Sequence, residues 1–473
     1  MTQRHIAIVT GVSALLLTLL AWQYFPAHAN YSVTTEDPSP NTSQQAVSTN
    51  QNFLHTVFKN YAAPTPTPLQ IFLPLVFKNY TAPAPLWRFG TAQVQRGLTN
   101  YDSYGMASMR FGWYVDFTVT ANPSTPYGME YVPTVRIKQT KLAADGFTKT
   151  DCRVGPYYVT PYEYTVSPSI SQIQSVASSH PGMTWMIGNE MDRVDYGSGC
   201  GHQDEMLPEL YAQAYHDLYS AIKSADPTAQ VAISGMVEFT DLRRQYLDRV
   251  WAEYIRLSTL YSWDSPTMPV DIWNIHLYVL QEVKGSWGAD IPAGFSETSG
   301  ELYTILDNKD FTKAWAQIES LRTWMKDHGQ QNKPLIITEY GVLWPAWLEC
   351  PAYPDTAGCP FTPEQVRDSF MYPSFNAFLN QTDANIGYPA DGNRLVQRWN
   401  WFSVDYDDGK CEDYSGVSYF NEYFGGSLFN SGLGPSSPPT NCSFPAQGIS
   451  SLGNYWKQYV QNLPVGSTKP YAP

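Results

Sequence analysis

The stretch WMIGNEMDR, residues 185–193, contains an apolar run that stops abruptly on an amide and a carboxylate, Asn189 and Glu190. A second apolar run, LIIT at 335–338, stops in the same way on Glu339. Short apolar runs bounded by polar residues are typical of buried strands in a parallel sheet. The sequence therefore predicts that each glutamate stands at the C-terminal end of a strand.

Eight such apolar segments follow one another from Leu86 onward, and longer amphipathic segments separate several of them. The candidate strands are 86–94, 108–117, 130–137, 183–189, 229–237, 270–279, 333–341 and 395–404. Helix-like stretches occupy 170–180, 211–227, 312–329 and 449–463. The alternation predicts an α/β fold, a (β/α)8 TIM barrel with extended loops. Active sites of such barrels lie at the C-terminal ends of the strands, where Glu190 and Glu339 are expected.

The composition favours carbohydrate over charged partners. Charged residues make up 15% of the chain, against about 25% in ordinary soluble proteins, and the chain has 15 Trp, 33 Tyr and 21 Phe. The net charge of -14 repels phosphate backbones and anionic lipid, so we expect no nucleic-acid partner. Neutral sugars that stack on aromatic rings fit this composition better.

The N-terminal region has the features of an export signal followed by a linker. Arg4, the apolar stretch 6–22 and the small-residue site Ala27-His28-Ala29 predict a signal peptide over 1–29, with an uncleaved membrane anchor as the alternative. Residues 30–85 are rich in Ser, Thr and Pro, as linkers are, and carry VFKNY at 57–61 and again at 76–80. We expect an extracellular catalytic domain over 86–473, tethered by this region to membrane or cell wall if it is not released.

Six cysteines in an exported chain predict disulfides rather than a metal site. Proximity in sequence favours three pairs, each closing a loop at the barrel rim: Cys152 with Cys200, Cys350 with Cys359, and Cys411 with Cys442. Structural zinc is the alternative, but no Cys-x-x-Cys pair occurs. Neither GxGxxG nor GxxxxGK is present, so we expect no nucleotide cofactor, and we expect no metal.

Two carboxylates converging over a barrel mouth are what retaining glycoside hydrolysis requires. One protonates the leaving oxygen and later deprotonates water, while the other attacks the anomeric carbon. A glutamate after an apolar strand can also simply open a solvated loop, so neither residue alone is decisive. Two such glutamates at the ends of two separate strands together predict a catalytic role for both.

These motifs resemble the clan A glycoside hydrolases, which include the cellulase-like family 5 and family 39. The resemblance rests on Asn189-Glu190 after the fourth strand, on Glu339 in TEYG after the seventh, and on His276-Leu277-Tyr278 after the sixth. It implies that Glu190 is the acid/base, that Glu339 is the nucleophile and that Asn189 donates to the sugar 2-hydroxyl. Met191 stands where the family commonly has a proline, so this loop departs from the family pattern.

The resemblance implies further substrate-site residues. Tyr278 would hold the nucleophile by a hydrogen bond, with His276 on the same strand face, and Arg110 would support the ionised nucleophile. Trp401, or its neighbour on the same face Trp399, would form the floor of the sugar subsite. His276, Arg110 and the tryptophans have structural alternatives: a packed core histidine, an arginine that points to solvent, and a tryptophan that only fills space.

The expected function is that of an extracellular retaining glycoside hydrolase, acting as a monomer and without cofactor on a β-linked polysaccharide, more in endo than in exo fashion. The alternative is a non-catalytic barrel that binds glycan or serves in adhesion at the cell surface. A metallohydrolase would need a histidine cluster, and HExxH and HxH are both absent from the sequence.

Overall fold

The computed structural model describes residues 85–94, 97–151, 158–195, 202–343, 361–405, 413–414, 417–418, 426–429 and 448–464. The predicted signal peptide, nearly all of the linker and all six cysteines lie outside these ranges, so the leader, the VFKNY linker and the disulfide-pinned loops remain predictions. Among the described residues, no helix is both long and apolar enough to cross a membrane.

Eight parallel strands form a barrel. They are β1 (Leu86–Gln93), β2 (Phe111–Asp116), β3 (Glu130–Gln139), β4 (Thr184–Asn189), β5 (Gln230–Gly235), β6 (Trp273–Leu277), β7 (Leu335–Tyr340) and β8 (Arg398–Trp401). Neighbouring strands pair in the order β5-β4-β3-β2-β1-β8-β7-β6. Parallel bridges between Ala232 and Ile272 and between Met236 and Ile275 join β5 to β6 and close the ring. The predicted (β/α)8 fold and its eight strands are confirmed, although the strands are mostly shorter than predicted.

Helices cover the outside of the ring. They are α1 (Ile170–Ser179), α2 (Pro208–Ala225), α3 (Asp241–Tyr261), α4 (Phe311–Asp327), α5 (Pro363–Val366), α6 (Tyr372–Asn380) and α7 (Ser451–Val460), with a π-helical turn, Arg367–Met371, between α5 and α6. Short 3-10 turns, instead of helices, stand between β1 and β2 and between β2 and β3 in the described part of the chain. An added strand, Tyr164–Ser167, pairs antiparallel with β3 on its way to α1.

Alternate side chains of each strand face opposite sides of the barrel wall. The inward side chains Trp113, Val115, Val132, Met186 and Ile336 belong to one cluster inside the ring, while their neighbours pack against the helices. Because both faces are buried, the strands appear in the sequence as continuous apolar runs.

The helices attach through apolar stripes with helical spacing. In α2 the buried positions Leu210, Ala214, Leu218 and Ile222 follow one another at intervals of four, so they share one face. Burial of such a stripe stabilises the helix against the barrel, because each fully buried leucine or isoleucine side chain contributes about 1.5–3 kcal/mol.

The inside of the barrel is polar at its N-terminal end. The buried guanidinium of Arg398, at the start of β8, lies 4.3 Å from the centre of the Trp113 ring, and its Nη2 atom lies 3.1 Å from a carboxylate oxygen of Glu130, at the start of β3. Ion pairing and the aromatic face offset the cost of burying this charge. The residues that follow the strands lie at the opposite, C-terminal end of the barrel.

Replacing Gly112 by alanine is expected to destabilise the barrel wall between β1 and β2. A Cβ atom at position 112 would lie 2.3 Å from Cα of Trp87 and 2.4 Å from the carbonyl oxygen of Leu86, both backbone atoms of β1. Because backbone cannot move aside without breaking strand pairing, Gly112→Ala should lower the free energy of unfolding by about 1–3 kcal/mol or prevent folding. Urea unfolding measures this change.

The matched control is Gly97→Ala. Gly97 has a φ of -58°, and the nearest atom to its added Cβ is a side-chain nitrogen of Asn100 at 3.5 Å. This variant should lie within about 0.5 kcal/mol of the wild type. Equal stability of the two variants would contradict the proposed packing of β1 against β2.

Candidate active site

The two predicted glutamates meet at the C-terminal end of the barrel. Glu190 directly follows β4, where its backbone N–H donates to the carbonyl of Gly235 on β5, and Glu339 lies near the end of β7. The two residues are only 2% and 6% exposed. One oxygen of Glu190 and one of Glu339 lie within 4.8 Å of each other. Parallel strands with their ends at one rim therefore bring together two acids separated by 149 residues of sequence.

His276 of β6 and Tyr278, the residue after β6, lie between and beside the two acids. Nδ1 of His276 lies 3.1 Å from Oε1 of Glu190 and 3.5 Å from Oε2 of Glu339. The hydroxyl of Tyr278 donates to Oε2 of Glu339 at 3.2 Å. Both side chains face the mouth, so the structure brings together the four residues that the motifs singled out on β4, β6 and β7. Their catalytic roles remain predictions.

A glycine makes room for the histidine. A Cβ atom at Gly235, at the end of β5, would lie 2.2 Å from Cδ2 and 2.4 Å from Nε2 of His276. The missing side chain therefore leaves room for the Cδ2–Nε2 edge of the imidazole ring next to β5, while Nδ1 lies near Glu190 and Glu339.

An arginine that the motifs do not reveal completes the cluster. Nη1 of Arg193 lies 3.1 Å from Oε2 of Glu190, and Nη2 donates to the carbonyl of Gly288 at 2.9 Å. Arg193 follows Glu190 by three residues, and its backbone N–H donates to the Glu190 carbonyl in a turn. In the sequence, the available signal is an arginine three residues after a glutamate that ends a strand. This spacing alone does not show where the arginine side chain points.

The surroundings push the pKa values of the two acids apart. Burial by itself raises the pKa of Glu190, but the Arg193 guanidinium and the His276 hydrogen bond outweigh it and lower the pKa from 4.5 to about 2. Burial raises the pKa of Glu339 from 4.5 to about 7, and the negative charge of Glu190 acts in the same direction. These surroundings therefore keep Glu190 ionised and favour a proton on Glu339.

His276 carries positive charge more readily than an ordinary histidine. Burial by itself would lower its pKa, but the charge of Glu339 and the hydrogen bond and charge of Glu190 raise it. The ionised carboxylate of Glu190 thus lies beside Arg193 and His276, as a buried charge requires a nearby partner of opposite charge.

Asn189 is held in place by the next segment of chain. Its backbone N–H donates to Oδ2 of Asp204 at 2.9 Å, and its side-chain nitrogen donates to the carbonyl of His202 at 3.1 Å. Asp204 also forms an ion pair with Arg136 on β3, at 2.8 Å. These contacts connect the ends of β3 and β4 and orient Asn189; its contact with a sugar 2-hydroxyl remains a prediction.

Arg110 lies at the wrong end of the barrel for the role that the resemblance implies. It immediately precedes β2, whose first residue is Phe111, and its guanidinium donates to the carbonyls of Val460 and Leu463, at the end of α7, at 2.6 and 2.7 Å. Because parallel strands all run in one direction, a residue before β2 lies opposite the C-terminal ends. The prediction that Arg110 supports the nucleophile is wrong, and Arg110 instead attaches the last helix.

The two tryptophans of β8 also face away from the site. They share a face, as predicted, but Trp399 packs on Phe378 and Trp401 packs on Tyr340, both in the layer between barrel and helices. Both are fully buried, so the prediction of a sugar-binding floor is wrong for each. Strand alternation shows that two residues share a face but not which face points inward. Phe402, the next residue, packs with Tyr278 and Leu280 at the mouth instead.

The loops predicted to form the walls of the cleft are described only in part. In the loop after β3, the hydroxyl of Tyr158 donates to Glu205 at 2.6 Å, and Tyr162 is 50% exposed next to it. Most of the loops at 342–350 and 403–414 lies outside the described residues, so their role in binding stays a prediction.

Glu190, His276 and Glu339 also form the one group in the described ranges whose donor atoms could hold a metal ion. A divalent cation there would need a neutral imidazole and two ionised carboxylates. Arg193 and the Tyr278 hydroxyl already contact those carboxylates, and the positive charge of Arg193 opposes a cation at the same place. The geometry therefore suits acid–base chemistry better than metal binding.

The described residues define a parallel (β/α)8 barrel with a buried glutamate pair at the C-terminal ends of β4 and β7. No protein-family model and no curated protein sequence matches the chain. Among solved structures it is similar to a glucosidase from Croceicoccus marinus, with 9% identity and a TM-score of 0.34 over 67% of this chain and 60% of that one. It is also similar to a family 39 glycoside hydrolase from Bacteroides cellulosilyticus, with 10% identity and a TM-score of 0.35 over 73% of this chain and 60% of that one. A third similar structure is GH5_18 from Streptomyces cattleya, with 12% identity and a TM-score of 0.37 over 82% of this chain and 83% of that one.

This chain thus spans 60% of the length of the first two of these proteins. At such low identities and TM-scores the similarity carries no conclusion about activity, which has to be argued from the site.

Removing the charge of Glu339 is expected to stabilise the protein at alkaline pH. The folded-state pKa is raised to about 7 from 4.5, so the folded protein loses stability as pH rises through this interval. Glu339→Gln is neutral at every pH and should be more stable than the wild type at pH 8 by up to about 3 kcal/mol, at about 1.4 kcal/mol per pH unit. At pH 4 the two should unfold alike.

Thermal unfolding at pH 4, 6 and 8 measures this difference, and Glu319→Gln, on the exposed face of α4, is the control that should show no such trend. A Glu339→Gln variant that is less stable at pH 8 than at pH 4, relative to the wild type, would show that Glu339 is held ionised instead.

Proposed function

We propose that this chain is a retaining glycoside hydrolase acting on a β-linked polysaccharide, with Glu190 as acid/base and Glu339 as nucleophile. The observation that carries the proposal is the approach of the two buried carboxyl groups to within 4.8 Å at the C-terminal ends of β4 and β7. Retaining enzymes place their carboxyl groups about 5–5.5 Å apart, whereas inverting enzymes need about 6.5–9.5 Å to accommodate a water molecule.

The reaction would take two steps. In the first, an oxygen of Glu339 forms a bond to the anomeric carbon while the glycosidic C–O bond breaks and the leaving oxygen takes a proton from Glu190. In the second, Glu190 takes a proton from water, the water oxygen bonds to the anomeric carbon, and Glu339 leaves as a carboxylate. Tyr278, whose hydroxyl contacts Glu339, orients the nucleophile throughout.

The pair needs one proton in total, and the site supplies one, but on the other carboxyl group. Glu339 favours the proton in the ligand-free site, while Glu190 is ionised. Reaction requires the reverse distribution, so the proton has to move from Glu339 to Glu190 when sugar binds. His276 contacts both acids through the same ring nitrogen and lies on the direct route between them. Two coupled acids of this kind titrate as a pair.

The first measurement is hydrolysis of soluble β-glucan, β-mannan, xylan and galactan by the full chain, beside Glu190→Gln and Glu339→Gln. We expect one polymer to be cleaved by the wild type, with each variant slower by about 10²–10⁴ or more, since each removes a group that reacts in the transition state. Product lengths distinguish the proposed endo cleavage from exo cleavage.

The control variant is Glu319→Gln, on the exposed face of α4, which should retain full activity. If every polymer stays intact but one retards the protein in an affinity gel, the non-catalytic glycan-binding barrel replaces the enzyme. The aromatic-rich composition is the observation that favours this second function, because it suits sugar binding with or without hydrolysis.

The roles of the two glutamates are testable separately from the choice of sugar. An activated 2-deoxy-2-fluoro glycoside of the cleaved sugar should leave a glycosyl group on the nucleophile. The fluorine slows both steps, and the activated leaving group restores the rate of the first step only, so the glycosyl-enzyme accumulates. Peptide mass spectrometry is expected to find the label on Glu339. A label on Glu190 would reverse the assignment, in line with the resting protonation of the pair.

We also propose that the chain is exported, on the support of the leader sequence at 1–29 and the linker-like composition of 30–85. The mature protein would act outside the cell as a monomer, either released or tethered through the linker. N-terminal sequencing of the exported protein tests cleavage after Ala29; an intact Met1 on membrane-bound protein would support the anchor instead.

A further inference from the structure

Both oxygens of Glu190 contact charged or hydrogen-bonding side chains. Oε1 faces Nδ1 of His276 at 3.1 Å, and Oε2 faces Nη1 of Arg193 at 3.1 Å. All three side chains are at least nine-tenths buried. Because each oxygen faces a cation or a hydrogen-bonding nitrogen, these contacts favour the ionised carboxylate over the protonated form that would donate to a glycosidic oxygen. Arg193 therefore has a direct bearing on the acid step.

The position of Arg193 is fixed at its far end by a constrained loop. Its Nη2 donates to the carbonyl of Gly288, which has a φ of +102°. A Cβ at position 288 would lie 2.5 Å from the Gln281 carbonyl oxygen, to which the N–H of Ala289 donates at 2.9 Å. This close approach holds the Gly288 carbonyl at a defined place, so Arg193 is held between it and Glu190.

The backbone that carries Arg193 is fixed as well. Asp192, the preceding residue, forms an ion pair at 2.7 Å with Nε of Arg243, which is fully buried and also pairs with Glu282. The carbonyl of Asp192 accepts from the N–H of Ala293. Since side chain and backbone are both held, the arginine is placed before any sugar arrives.

We propose that Arg193 is a positioning residue that keeps Glu190 ionised while the site is free of sugar, and that Glu190 becomes the proton donor only after Arg193 releases its oxygen. The proposal rests on the function proposed above, because it assigns a step to the acid/base. A glycosidic oxygen entering beside Glu190 would take the place of the guanidinium, and Arg193 would keep its contact with Gly288.

The charged and titratable groups around Glu190 come from three elements. Arg193 and Asp192 belong to the turn after β4, His276 and Tyr278 to β6 and the residue after it, and Glu339 to β7. Arg193 and His276 lower the pKa of Glu190, while burial opposes them. Because Arg193 is the one permanent cation that contacts Glu190 within the described ranges, its removal should raise the Glu190 pKa.

The test is the pH dependence of kcat/KM for Arg193→Gln and Arg193→Lys on the polymer that the wild type cleaves. In the free enzyme the alkaline limb reports loss of the one proton that Glu190 and Glu339 share. Since the charge of Arg193 lowers the pKa of both carboxyl groups, its removal should move that limb to higher pH. We expect Arg193→Gln to shift it upward by about one unit or more, the size that an adjacent arginine produces, and Arg193→Lys to restore most of the wild-type profile.

A second readout does not depend on activity. Carbon-13 NMR of protein labelled at the glutamate carboxyl carbons follows the titration of Glu190, identified as the signal that Glu190→Gln lacks. Its midpoint should rise by about one pH unit or more in Arg193→Gln. If the wild type hydrolyses nothing, the proposed function fails while this titration still decides what Arg193 does.

The matched control is Arg249→Gln. Arg249 also pairs with one carboxylate, Glu209 at 2.6 Å, and one glycine carbonyl, that of Gly294 at 3.0 Å, but on the partly exposed outside of the barrel. It should change neither readout. An unchanged Glu190 titration in Arg193→Gln overturns the proposal, and a titration that moves without the alkaline limb overturns the part that links Arg193 to the acid step.

Discussion

Two buried carboxyl groups held within 4.8 Å of each other cannot both carry uncompensated charge, and the C-terminal end of this barrel is arranged around that constraint. One acid is paired with an arginine and a histidine and stays ionised. The other contacts a tyrosine and the same histidine, and burial favours its proton. Sharing a single proton between the two is the state with the least unpaired buried charge.

The surrounding loops hold this arrangement from outside. Below the turn that carries Arg193, the buried guanidinium of Arg243 binds Asp192 and Glu282, and so connects the chain after β4 with the chain after β6. On the other side, Asp204 binds Arg136 and the backbone at the end of β4. Such pairs cost desolvation energy, but removing one partner leaves a buried charge alone, so each network is sensitive to single changes.

The ionised state of Glu190 and the protonated state of Glu339 affect how the proposed reaction would begin. In the proposed mechanism, sugar binding has to move a proton from Glu339 to Glu190 and free an oxygen of Glu190. Binding energy from the sugar can supply the cost of that rearrangement, which then occurs only with a ligand in place. Under the proposed function, the identity of the sugar would depend on the rim loops, because the proposed acid/base and nucleophile act on the reacting bond and not on the whole chain of sugars.

Much of the fold and of the centre of the site can be predicted from the amino-acid sequence. Apolar runs that end on Glu190 and Glu339 reflect burial on both faces of parallel strands, a local property, and the parallel direction of the strands places their ends at one rim. His276 and Tyr278 follow from the same rule applied to β6.

Arg110, Trp399 and Trp401 were misplaced for two physical reasons. Alternation along a strand shows which side chains share a face, but the choice between barrel interior and helix layer depends on packing against α6, so Trp399 and Trp401 turned outward. A strand boundary shifts by a few residues according to backbone conformation, and Arg110, with a φ of +56°, stands before β2 and not within it.

What the amino-acid sequence specifies alone is therefore the set of strands, their common direction and the acids at their ends, because these depend on periodicity and chain order. Three features depend instead on the positions of side chains in the folded protein. They are the contact of Arg193 with Glu190, the position of one histidine nitrogen between two carboxylates, and the resulting low pKa of Glu190 and high pKa of Glu339. Electrostatic energies change steeply with the distances between these groups and with burial, so only the folded chain settles them.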